Sequence, residues 1–372
     1  MHKIWINCGE LSGDIQSAEL VKALKESGAE FDFVGMGGEN LKNQGVRTLF
    51  HINELSVMGI SEVLEALPRI LKLLKRIKLA LMQEKPDALI VTDAPDFNFR
   101  IIRMAKKLGI PVYYFIPPKV WAWRKYRLKF LQENVKKIYS ILPFEVDFYQ
   151  KNTVAIQYIG NPLVQVVDRK KYQHIEPVPG RIGLMPGSRK KEVSALLPIF
   201  AEMAEKMVQN NPDFQFYLIQ APQFSEEYLR SFWNCSVPLT IVSAENRYAV
   251  LSGCEMVAAA SVTAVLETAL LGIPTLVTYK VNPFSYLIGK LFVHVPFVSL
   301  PNLILGKELF PEILQGDLKS SSLAEILQTW HNYPRVREEI KKGCITIQEK
   351  LGDENSAKRF AEDFLREIVG IF

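Results

Sequence analysis

Cysteine and histidine are scarce in this chain, which has four cysteines and five histidines among 372 residues. The cysteines form no CxxC pair, and the histidines form no HExxH motif. Such cysteine usage is typical of a protein in a reduced, cytoplasmic compartment. Because neither residue type shows the spacing of a metal site, the sequence predicts no bound metal.

Long hydrophobic runs are also absent. The nearest one extends from Tyr286 to Leu305, and it is interrupted by Lys290, His294 and two prolines. We therefore expect no transmembrane helix, which needs roughly 18 or more uninterrupted apolar residues. Residues 1–9 read as the start of a strand and lack the apolar segment and cleavage site of a secretory signal, so none is expected. The net charge of +5 is small and favours no class of partner by itself.

What the chain does contain is a regular alternation of short apolar runs and helical patterns. In the first half, the predicted strands span residues 3–7, 31–35, 88–92, 112–115, 137–141 and 156–159. In the second half, they span residues 182–185, 214–219, 239–242, 256–259 and 275–278. This alternation predicts an α/β fold in which parallel sheets are covered by helices on both faces.

A polar stretch with two prolines at residues 164–180 separates the two series of strands and indicates a linker. The simplest architecture is two Rossmann-like domains that face a cleft. We expect the first domain at residues 1–165 and the second at 181–340. The C-terminal helices at 341–372 are expected to pack back on the first half.

Asp93 stands one residue after the apolar run at residues 88–91, which is typical of a buried parallel strand. Pro95 lacks an N–H group and disfavours helix at the residue before it, so the strand should end here. Ligands of open α/β sheets bind at the carboxyl ends of the strands, where a carboxylate can accept a proton from a bound hydroxyl. The alternative is that Asp93 and Asp96 cap the next helix, whose body would start near Phe99.

Glycine-rich loops follow the first two predicted strands. Residues 9–14 (GELSGD) open a helix, and their glycines permit a tight turn at a helix N-terminus that attracts anions. An ordinary loop capped by Ser12 or Asp14 is the alternative. Residues 35–40 nearly match GxGxxG, but Asn40 replaces the third glycine and the loop follows the second strand. A dinucleotide-dependent dehydrogenase is therefore disfavoured.

Residues 186–189 (PGSR) follow the first strand of the second half. The backbone N–H groups of Gly187 and Ser188 and the guanidinium of Arg189 suit a phosphate. Two lysines then begin the helix, where they oppose the macrodipole unless an anion offsets them. This pattern favours a phosphate site over a plain loop.

A second serine-containing loop follows the strand at residues 256–259. Ser261 or Thr263 is placed to cap the next helix and face a diphosphate. Glu267 lies further along the same helix, where it can reach a ribose. Strand–serine–helix junctions are also common without any ligand, so an ordinary packing junction is the alternative.

Trp121 and Trp123 lie beside a pair of prolines, an unusual composition that suggests a shaped and partly exposed wall. The alternative is that both indoles pack under the following helix.

Residues 67–81 form a basic amphipathic pattern. Its apolar face comprises Leu67, Ile70, Leu71, Leu74, Ile77 and Leu81. Leu73 and Leu79 lie off that face, beside several lysines and arginines. The pattern suits an anionic membrane surface, and the alternative is a core helix with a solvated basic back. No nucleic-acid motif accompanies it, so we expect no nucleic acid.

Taken in this order, these segments resemble the lipid-A-disaccharide synthase family. The matching pieces are residues 9–14, 35–38, 54–60 (ELSVMGI), 93–98 (DAPDFN), 120–124 (VWAWR), 142–145 (LPFE), 186–189, Glu267 and 299–303 (SLPNL). The resemblance implies an inverting glycosyltransferase with two Rossmann domains of the GT-B type, which needs no metal or other cofactor. The sequence departs from the resemblance at Val262, where glycine is expected.

The family's reaction would transfer 2,3-diacylglucosamine from UDP to 2,3-diacylglucosamine 1-phosphate (lipid X). The products would be the β-1,6-linked lipid A disaccharide 1-phosphate and UDP. The enzyme would be peripheral on the cytoplasmic face of the inner membrane, and it is a possible homodimer. Another UDP-sugar enzyme, such as a 2-epimerase, and a UDP- or lipid-binding homologue without turnover are the alternatives.

The resemblance also implies residue roles. Asp93 matches the general base, Arg189 an arginine that holds the departing diphosphate, and Asn302 another activity-linked position. The donor side would comprise Gly187, Ser188, Arg189, Ser261, Thr263 and Glu267. The acceptor side would comprise Gly9, Glu10, Ser12, Gly13, Asp14 and Trp121. Because both substrates carry acyl chains, the expected membrane contacts are Ile70, Leu73, Leu74, Ile77 and Leu79.

Overall fold

The computed structural model describes residues 1–55, 60–122, 126–260, 262–280 and 295–370, without the side chains of residues 60–66 and 262. By their contacts the residues form two units, Met1–Pro162 with Glu354–Phe372, and Leu163–Asp353. Each unit has its own parallel sheet with helices between the strands, so the predicted fold of two Rossmann-like domains is confirmed.

Among the described residues, the first unit has a parallel sheet of seven strands. They are β1 (His2–Cys8), β2 (Phe31–Gly37), β3 (Arg47–His51), β4 (Ala88–Thr92), β5 (Val112–Phe115), β6 (Lys137–Ser140) and β7 (Ile156–Tyr158), in the order β3-β2-β1-β4-β5-β6-β7. The direction of the strand order changes between β1 and β4, whose register pairs Cys8 with Thr92. The loops after β1 and β4 therefore meet at the carboxyl edge of the sheet, the usual place for a ligand in such folds.

The helices of this unit that connect the strands are α1 (Leu11–Glu26), α2 (Glu39–Asn43), α3 (Ile60–Glu84), α4 (Pro95–Lys107), α5 (Arg127–Asn134) and α6 (Pro143–Gln150). They cover both faces of the sheet, because its central strands are buried on both sides and need apolar partners on each. In α3, Leu73, Ile77 and Leu81 belong to the same buried core as Trp5 of β1.

The second unit has a six-stranded parallel sheet within the described residues. Its strands are β8 (Val178–Met185), β9 (Gln215–Ile219), β10 (Leu239–Val242), β11 (Cys254–Ala259), β12 (Thr275–Tyr279) and β13 (Glu312–Leu314), in the order β10-β9-β8-β11-β12-β13. Here the direction changes between β8 and β11, which pair in register from Met256 with Ile182 to Ala259 with Met185. The loops after these two strands are thus neighbours.

The helices that begin between Pro162 and the end of the second unit are α7 (Pro162–Val167), α8 (Arg169–Tyr172), α9 (Lys190–Asn210), α10 (Glu226–Arg230), α11 (Arg247–Ser252), α12 (Val262–Leu270), α13 (Leu300–Leu305), α14 (Ser320–Asn332) and α15 (Pro334–Leu351). Short 3-10 helices occupy Ile52–Glu54, Ala244–Asn246 and Gln315–Asp317. The predicted linker at residues 164–180 is therefore wrong in part, because it contains α8 and most of α7, and β8 begins at Val178.

The last helix, α16 (Ser356–Val369), belongs to the first unit and packs against α1. Its Phe360 and Phe364 are fully buried, and its Asp363 accepts hydrogen bonds from Lys137 at 2.6 Å and Tyr139 at 2.8 Å. By contrast, α15 packs against α12 and α13 of the second unit. The return of the chain to the first unit accordingly begins at residue 354 and not at the expected residue 341.

Candidate active site

Asp93 directly follows β4, in a turn where its own φ is 51° and that of Ala94 is 35°. Left-handed φ values are uncommon in residues other than glycine, and two in succession mark a specially held turn. Ala94 is the N-cap residue of α4, which starts at Pro95, and it forms no side-chain cap. The capping alternative for Asp93 is therefore wrong: its Oδ1 accepts a hydrogen bond from the N–H group of Gly9 at 3.2 Å.

A buried polar chain holds this turn in place. The Nδ2 group of Asn98 donates to the backbone oxygen of Asp93 at 2.8 Å, and the hydroxyl of Tyr114 donates to the same oxygen at 3.0 Å. Asn98 in turn accepts from Nδ2 of Asn7 at 2.8 Å, and Asn7 accepts from the indole of Trp5 at 3.3 Å. Each of these four side chains is buried, so the turn is fixed from the centre of the sheet.

The second carboxylate oxygen of Asp93, Oδ2, is buried and accepts no hydrogen bond of normal geometry from the described residues. Burial raises the pKa of Asp93 to about 7, and the negative charge of Glu10 adds to this shift, whereas the N–H groups of Gly9 and Gly13 oppose it. Such a pKa suits a general base at neutral pH, because the deprotonated form is populated and still binds protons well.

Glycine is required at positions 9 and 13, because neither position has room for a Cβ atom. A Cβ at Gly13 would lie 2.6 Å from Cγ of Asp93, and one at Gly9 would lie 2.8 Å from Cδ2 of Leu55. Both distances are too short for real Cβ atoms. The glycines of the GELSGD loop thus permit the close approach of β1 and α1 to the carboxylate.

Asp14 has a structural role, which corrects its predicted place on the acceptor side. It is buried, and its Oδ1 accepts from the N–H groups of Gly38 at 2.6 Å and Leu41 at 3.3 Å. Its Oδ2 accepts from the N–H and Nδ2 groups of Asn40 at 3.0 and 2.8 Å. The near-GxGxxG loop after β2 therefore surrounds the protein's own carboxylate at the start of α2. The other predicted acceptor residues of this loop, Glu10 and Ser12, are exposed.

A cavity of about 260 Å³ adjoins Asp93 within the first unit. Its lining comprises Glu10, Asp93, Ala94, Pro95, Ile116, Pro117, Pro118, Lys119, Val120 and Arg127. Trp121 is not in this lining: it is half-buried, and its indole donates to Glu145 at 2.8 Å. Burial raises the pKa of Glu145 to about 7, while its hydrogen bonds from Ser140 and Trp121 lower it. Trp123 lies outside the described residues, so the wall prediction is tested only for Trp121.

A second cavity, of about 340 Å³, lies in the second unit at the carboxyl ends of β8, β9 and β11. The structure brings four predicted donor residues together there: Gly187, Ser188, Thr263 and Glu267. The sequence prediction missed the other eight lining residues: Gln220, Ala221, Pro222, Ala244, Arg247, Met185, Ile219 and Ala264. The first three directly follow β9. The rule that ligands bind at the carboxyl ends of strands (the strand-end rule) therefore identifies them once it is applied to every strand.

Arg247 and Glu267 form the charged part of this cavity. The Nε group of Arg247 lies 3.6 Å from Oε2 of Glu267, and its guanidinium lies 4.2 Å from the ring centre of Tyr248. Burial raises the pKa of Glu267, and the charge of Arg247 opposes this shift. A carboxylate held this way can accept hydrogen bonds from a pair of hydroxyl groups.

Arg189 does not line the cavity: it is exposed at the start of α9, where its Nη1 donates to Oε1 of Glu192 at 3.0 Å. Oε2 of Glu192 accepts the N–H groups of Ser188 at 3.2 Å and Arg189 at 3.3 Å. Gly187 has a φ of 103°. Of the two amides that were predicted to bind a phosphate, that of Ser188 is therefore paired with an internal carboxylate. The same carboxylate also offsets the two lysines that begin α9.

Asn302 is fully buried in α13, and all its hydrogen-bonding capacity serves the scaffold. Its Oδ1 accepts from the N–H groups of Leu309 at 2.8 Å and Phe310 at 3.0 Å. Its Nδ2 donates to Glu312 at 2.9 Å and to the backbone oxygen of Phe310 at 2.8 Å. This corrects the expected catalytic role, because no group of Asn302 is available to a substrate. It is a positioning residue for the segment before β13.

The structure describes the predicted donor-side loop at Ser261 and Val262 only in part. Ser261 lies outside the described residues, as do residues 56–59 of the ELSVMGI segment. Val262 is the first residue of α12, where the backbone is right-handed and does not itself require glycine.

The predicted membrane contacts are wrong for three residues of α3. Leu73, Leu74 and Ile77 are at most 4% exposed and belong to the core, and Ile70 packs against the same core. The helix is rotated about its axis relative to the predicted orientation, so that the face that packs on the sheet includes Leu73. Leu79, by contrast, is 59% exposed. From residue 67 onward, where the side chains of α3 are described, the other large apolar side chains that are exposed are Leu67, Leu71 and Met82.

None of the described helices combines the length and apolarity needed to cross a bilayer. In the same part of the chain, no cluster of three or more histidine, cysteine, aspartate or glutamate side chains is arranged to hold a metal ion.

Residues 4–364 match the family model described as lipid-A-disaccharide synthetase. The lipid-A-disaccharide synthase of Myxococcus xanthus (strain DK1622) is 38% identical over 371 residues, which cover 98% of this chain and 97% of that protein. Among solved structures, a UDP-GlcNAc 2-epimerase from Neisseria meningitidis bound to UDP-GlcNAc aligns with a TM-score of 0.65 and 13% identity, covering 98% of this chain and 100% of that one. The calicheamicin glycosyltransferase CalG4 aligns with a TM-score of 0.60 and 12% identity, covering 100% and 98%.

The solved structures share the fold at low identity, so the likeness to a 2-epimerase carries no statement about the reaction. The sequence matches do identify the family, because they extend over nearly the whole chain, and the Myxococcus xanthus protein is more than 30% identical. The chain therefore belongs to the lipid-A-disaccharide synthetase family, and it is a glycosyltransferase that forms the lipid A disaccharide from a UDP-sugar donor and a lipid acceptor.

Proposed function

We propose that the donor is UDP-2,3-diacylglucosamine, that the acceptor is lipid X, and that Asp93 is the general base. The acceptor's 6-hydroxyl gives its proton to Asp93, and the hydroxyl oxygen attacks the anomeric carbon of the donor. The bond from that carbon to the diphosphate breaks, and UDP leaves. The observation that carries this proposal is the Asp93 carboxylate itself, which follows β4 and lines a cavity of about 260 Å³, with its pKa raised to about 7 by burial.

The cavity of the second unit is the proposed donor site. Glu267, partly buried beside Arg247, accepts the ribose hydroxyls, and Ser188 and Thr263 line the same space for the diphosphate. Arg189 is proposed to neutralise the departing diphosphate, since its exposed guanidinium stands at the start of α9 next to this loop.

Replacing Glu267 with Gln tests the donor site. The amide keeps the shape but loses the charge that accepts two hydroxyls, so we expect the affinity for UDP to fall about tenfold, the usual scale for a hydrogen bond to a charged group. Titration calorimetry with UDP measures the change. Glu245→Gln is the matched control, because Glu245 is exposed and does not line the cavity. Equal affinities of the two variants would remove Glu267 from the donor site.

The reaction itself is tested with purified protein in neutral-detergent micelles. We expect UDP release from UDP-2,3-diacylglucosamine only when lipid X is present, together with a disaccharide 1-phosphate product detected by mass spectrometry. UDP release without lipid X, or conversion of the donor to an epimer, would contradict the proposed reaction. UDP binding without any turnover would favour a binding homologue.

The enzyme is further proposed to meet its acyl-chain substrates on the cytoplasmic face of the inner membrane through the exposed face of α3. Leu71, Leu79 and Met82 are 46%, 59% and 47% exposed there. Exposed lysines at positions 72, 75 and 78 lie among them. Apolar side chains interspersed with lysines suit the surface of an anionic bilayer.

The double substitution Leu71→Ser with Leu79→Ser tests this surface. Because both side chains are exposed, we expect unchanged thermal stability and roughly tenfold weaker partitioning onto anionic vesicles, since two large apolar contacts are lost. Flotation with vesicles of phosphatidylglycerol and phosphatidylethanolamine measures the effect. The control is Val336→Ser with Ile345→Ser, which removes exposed apolar area from α15. The same loss in the control would show that α3 is not the docking surface.

A further inference from the structure

Among the described residues that line the cavity beside Asp93, one cation forms no ion pair. The described lining has two basic residues, Lys119 and Arg127. Arg127 is 7% exposed, pairs with Asp96 and lies with its guanidinium 5.1 Å from the ring centre of Phe99. Lys119 is exposed and forms no ion pair within 4 Å among the described residues; the carboxylate that senses its charge is Glu145, which is buried and lies outside the lining. The charge of Lys119 is therefore available to a bound anion, whereas that of Arg127 is already neutralised.

The backbone that carries Lys119 is fixed. Pro117 and Pro118 precede it, and the backbone oxygen of Pro118 accepts hydrogen bonds from the Tyr149 hydroxyl at 3.0 Å and from the Val120 N–H at 2.7 Å. The side chain of Val120 is buried in the core of the unit. A lysine held between such anchors has only its own side-chain freedom to lose when it binds a ligand.

The other charged groups of the cavity are acidic. Asp93 and Glu10 line it together with mainly apolar residues. A phosphate that enters this space is repelled by both carboxylates, so it needs a cation in the same lining. A lysine ammonium is a compact charge with three donors, which suits a phosphate monoester.

We propose that Lys119 binds the phosphate of the acceptor and makes the enzyme selective for a phosphorylated acceptor. This inference rests on the proposed acceptor site at Asp93 and adds the group that recognises the far end of the sugar. Lys119 is a specificity residue in this assignment and takes no part in bond making or breaking.

The test compares two acceptors in neutral-detergent micelles that contain no anionic lipid: lipid X and the same 2,3-diacylglucosamine with a free 1-hydroxyl. For Lys119→Met we expect the KM for lipid X to rise about tenfold, as for a lost charge-assisted hydrogen bond, with kcat within about twofold. The preference for lipid X over the dephosphorylated acceptor should fall by the same factor. Lys119→Arg should restore most of that preference. Lys129→Met is the control, since Lys129 is exposed on α5 and outside the lining.

Two results would overturn the assignment of Lys119: a rise in KM that is equal for both acceptors, or an equal loss in the Lys129→Met control. These outcomes differ from failure of the proposed reaction, in which the unmodified enzyme forms no disaccharide from either acceptor. The KM for the UDP donor should stay unchanged throughout, which separates acceptor recognition from general damage to the fold.

Discussion

Replacing Asp93 with Asn is expected to lower turnover by about 10²- to 10⁴-fold, the usual contribution of a positioned general base. The amide preserves the volume and can still accept the Gly9 N–H group, so the turn should stay in place. UDP binding should be unchanged, because the proposed donor cavity lies in the other unit. Initial rates of disaccharide formation and calorimetry with UDP measure the two effects.

Asp96→Asn is the matched control. Asp96 is an exposed residue at the start of α4, where it pairs with Arg127 of α5. We expect its turnover to stay within severalfold of the unmodified enzyme, because Asp96 does not line the cavity and takes no part in the proposed proton transfer. If Asp93→Asn retained near-normal turnover, or if both variants lost it equally, Asp93 would not be the base.

The pH dependence of the same site follows from its pKa of about 7. The rate should rise with pH up to about 7 and then level, because only the deprotonated carboxylate accepts the proton. Folding stability should change in the opposite sense: the folded state holds this proton up to about pH 7, whereas an ordinary aspartate loses it near 3.8, so stability falls as pH rises between these values. Asp93→Asn should therefore raise the melting temperature at pH 8 while it lowers turnover.

Gly13→Ala should be nearly as damaging as loss of the base itself. The added methyl group would stand 2.6 Å from Cγ of Asp93, inside any real contact distance, so the carboxylate must move. A displacement on the order of 1 Å costs roughly 10²-fold in rate, and we expect at least that loss. Because alanine favours helix over glycine by about 1 kcal/mol, α1 itself should not be weakened.

Two comparisons isolate the cause in Gly13→Ala. Gly316→Ala serves as a control, because nothing lies within 4 Å of a Cβ at that position. In the Asp93→Asn background, Gly13→Ala should cause little further loss, since both changes act on the same group. Full additivity of the two losses, or a loss of UDP binding in Gly13→Ala, would point to general unfolding.

The sequence predicted the sheets well where strands are continuous apolar runs, as in β4 and β11. It missed β3 and β13, two edge strands that are half-exposed and contain no such run. The position of Asp93 followed from the strand-end rule, but its left-handed turn did not. Ala94 has no local preference for that conformation, which is imposed by side chains from β1, α4 and β5.

Other errors have the same origin, in contacts between residues far apart in the chain. The sequence analysis placed Asp14 at the acceptor site because its actual partners, at residues 38 to 41, lie on another loop and could not be identified from the residues around Asp14. Leu73 looked exposed because helical spacing alone did not fix which side of α3 faces the sheet. Arg247 escaped notice because the strand-end rule was applied to β8 and β11 and not to β10.

The polar chain from Trp5 through Asn7 to Asn98 has a consequence for folding. Asn7 and Asn98 are 91 positions apart, yet their hydrogen bond helps to set the turn that carries the base. The turn thus cannot take its working form by local folding of residues 93–98, because β1 must first dock beside β4. Regain of activity during refolding should therefore follow the joining of these two central strands.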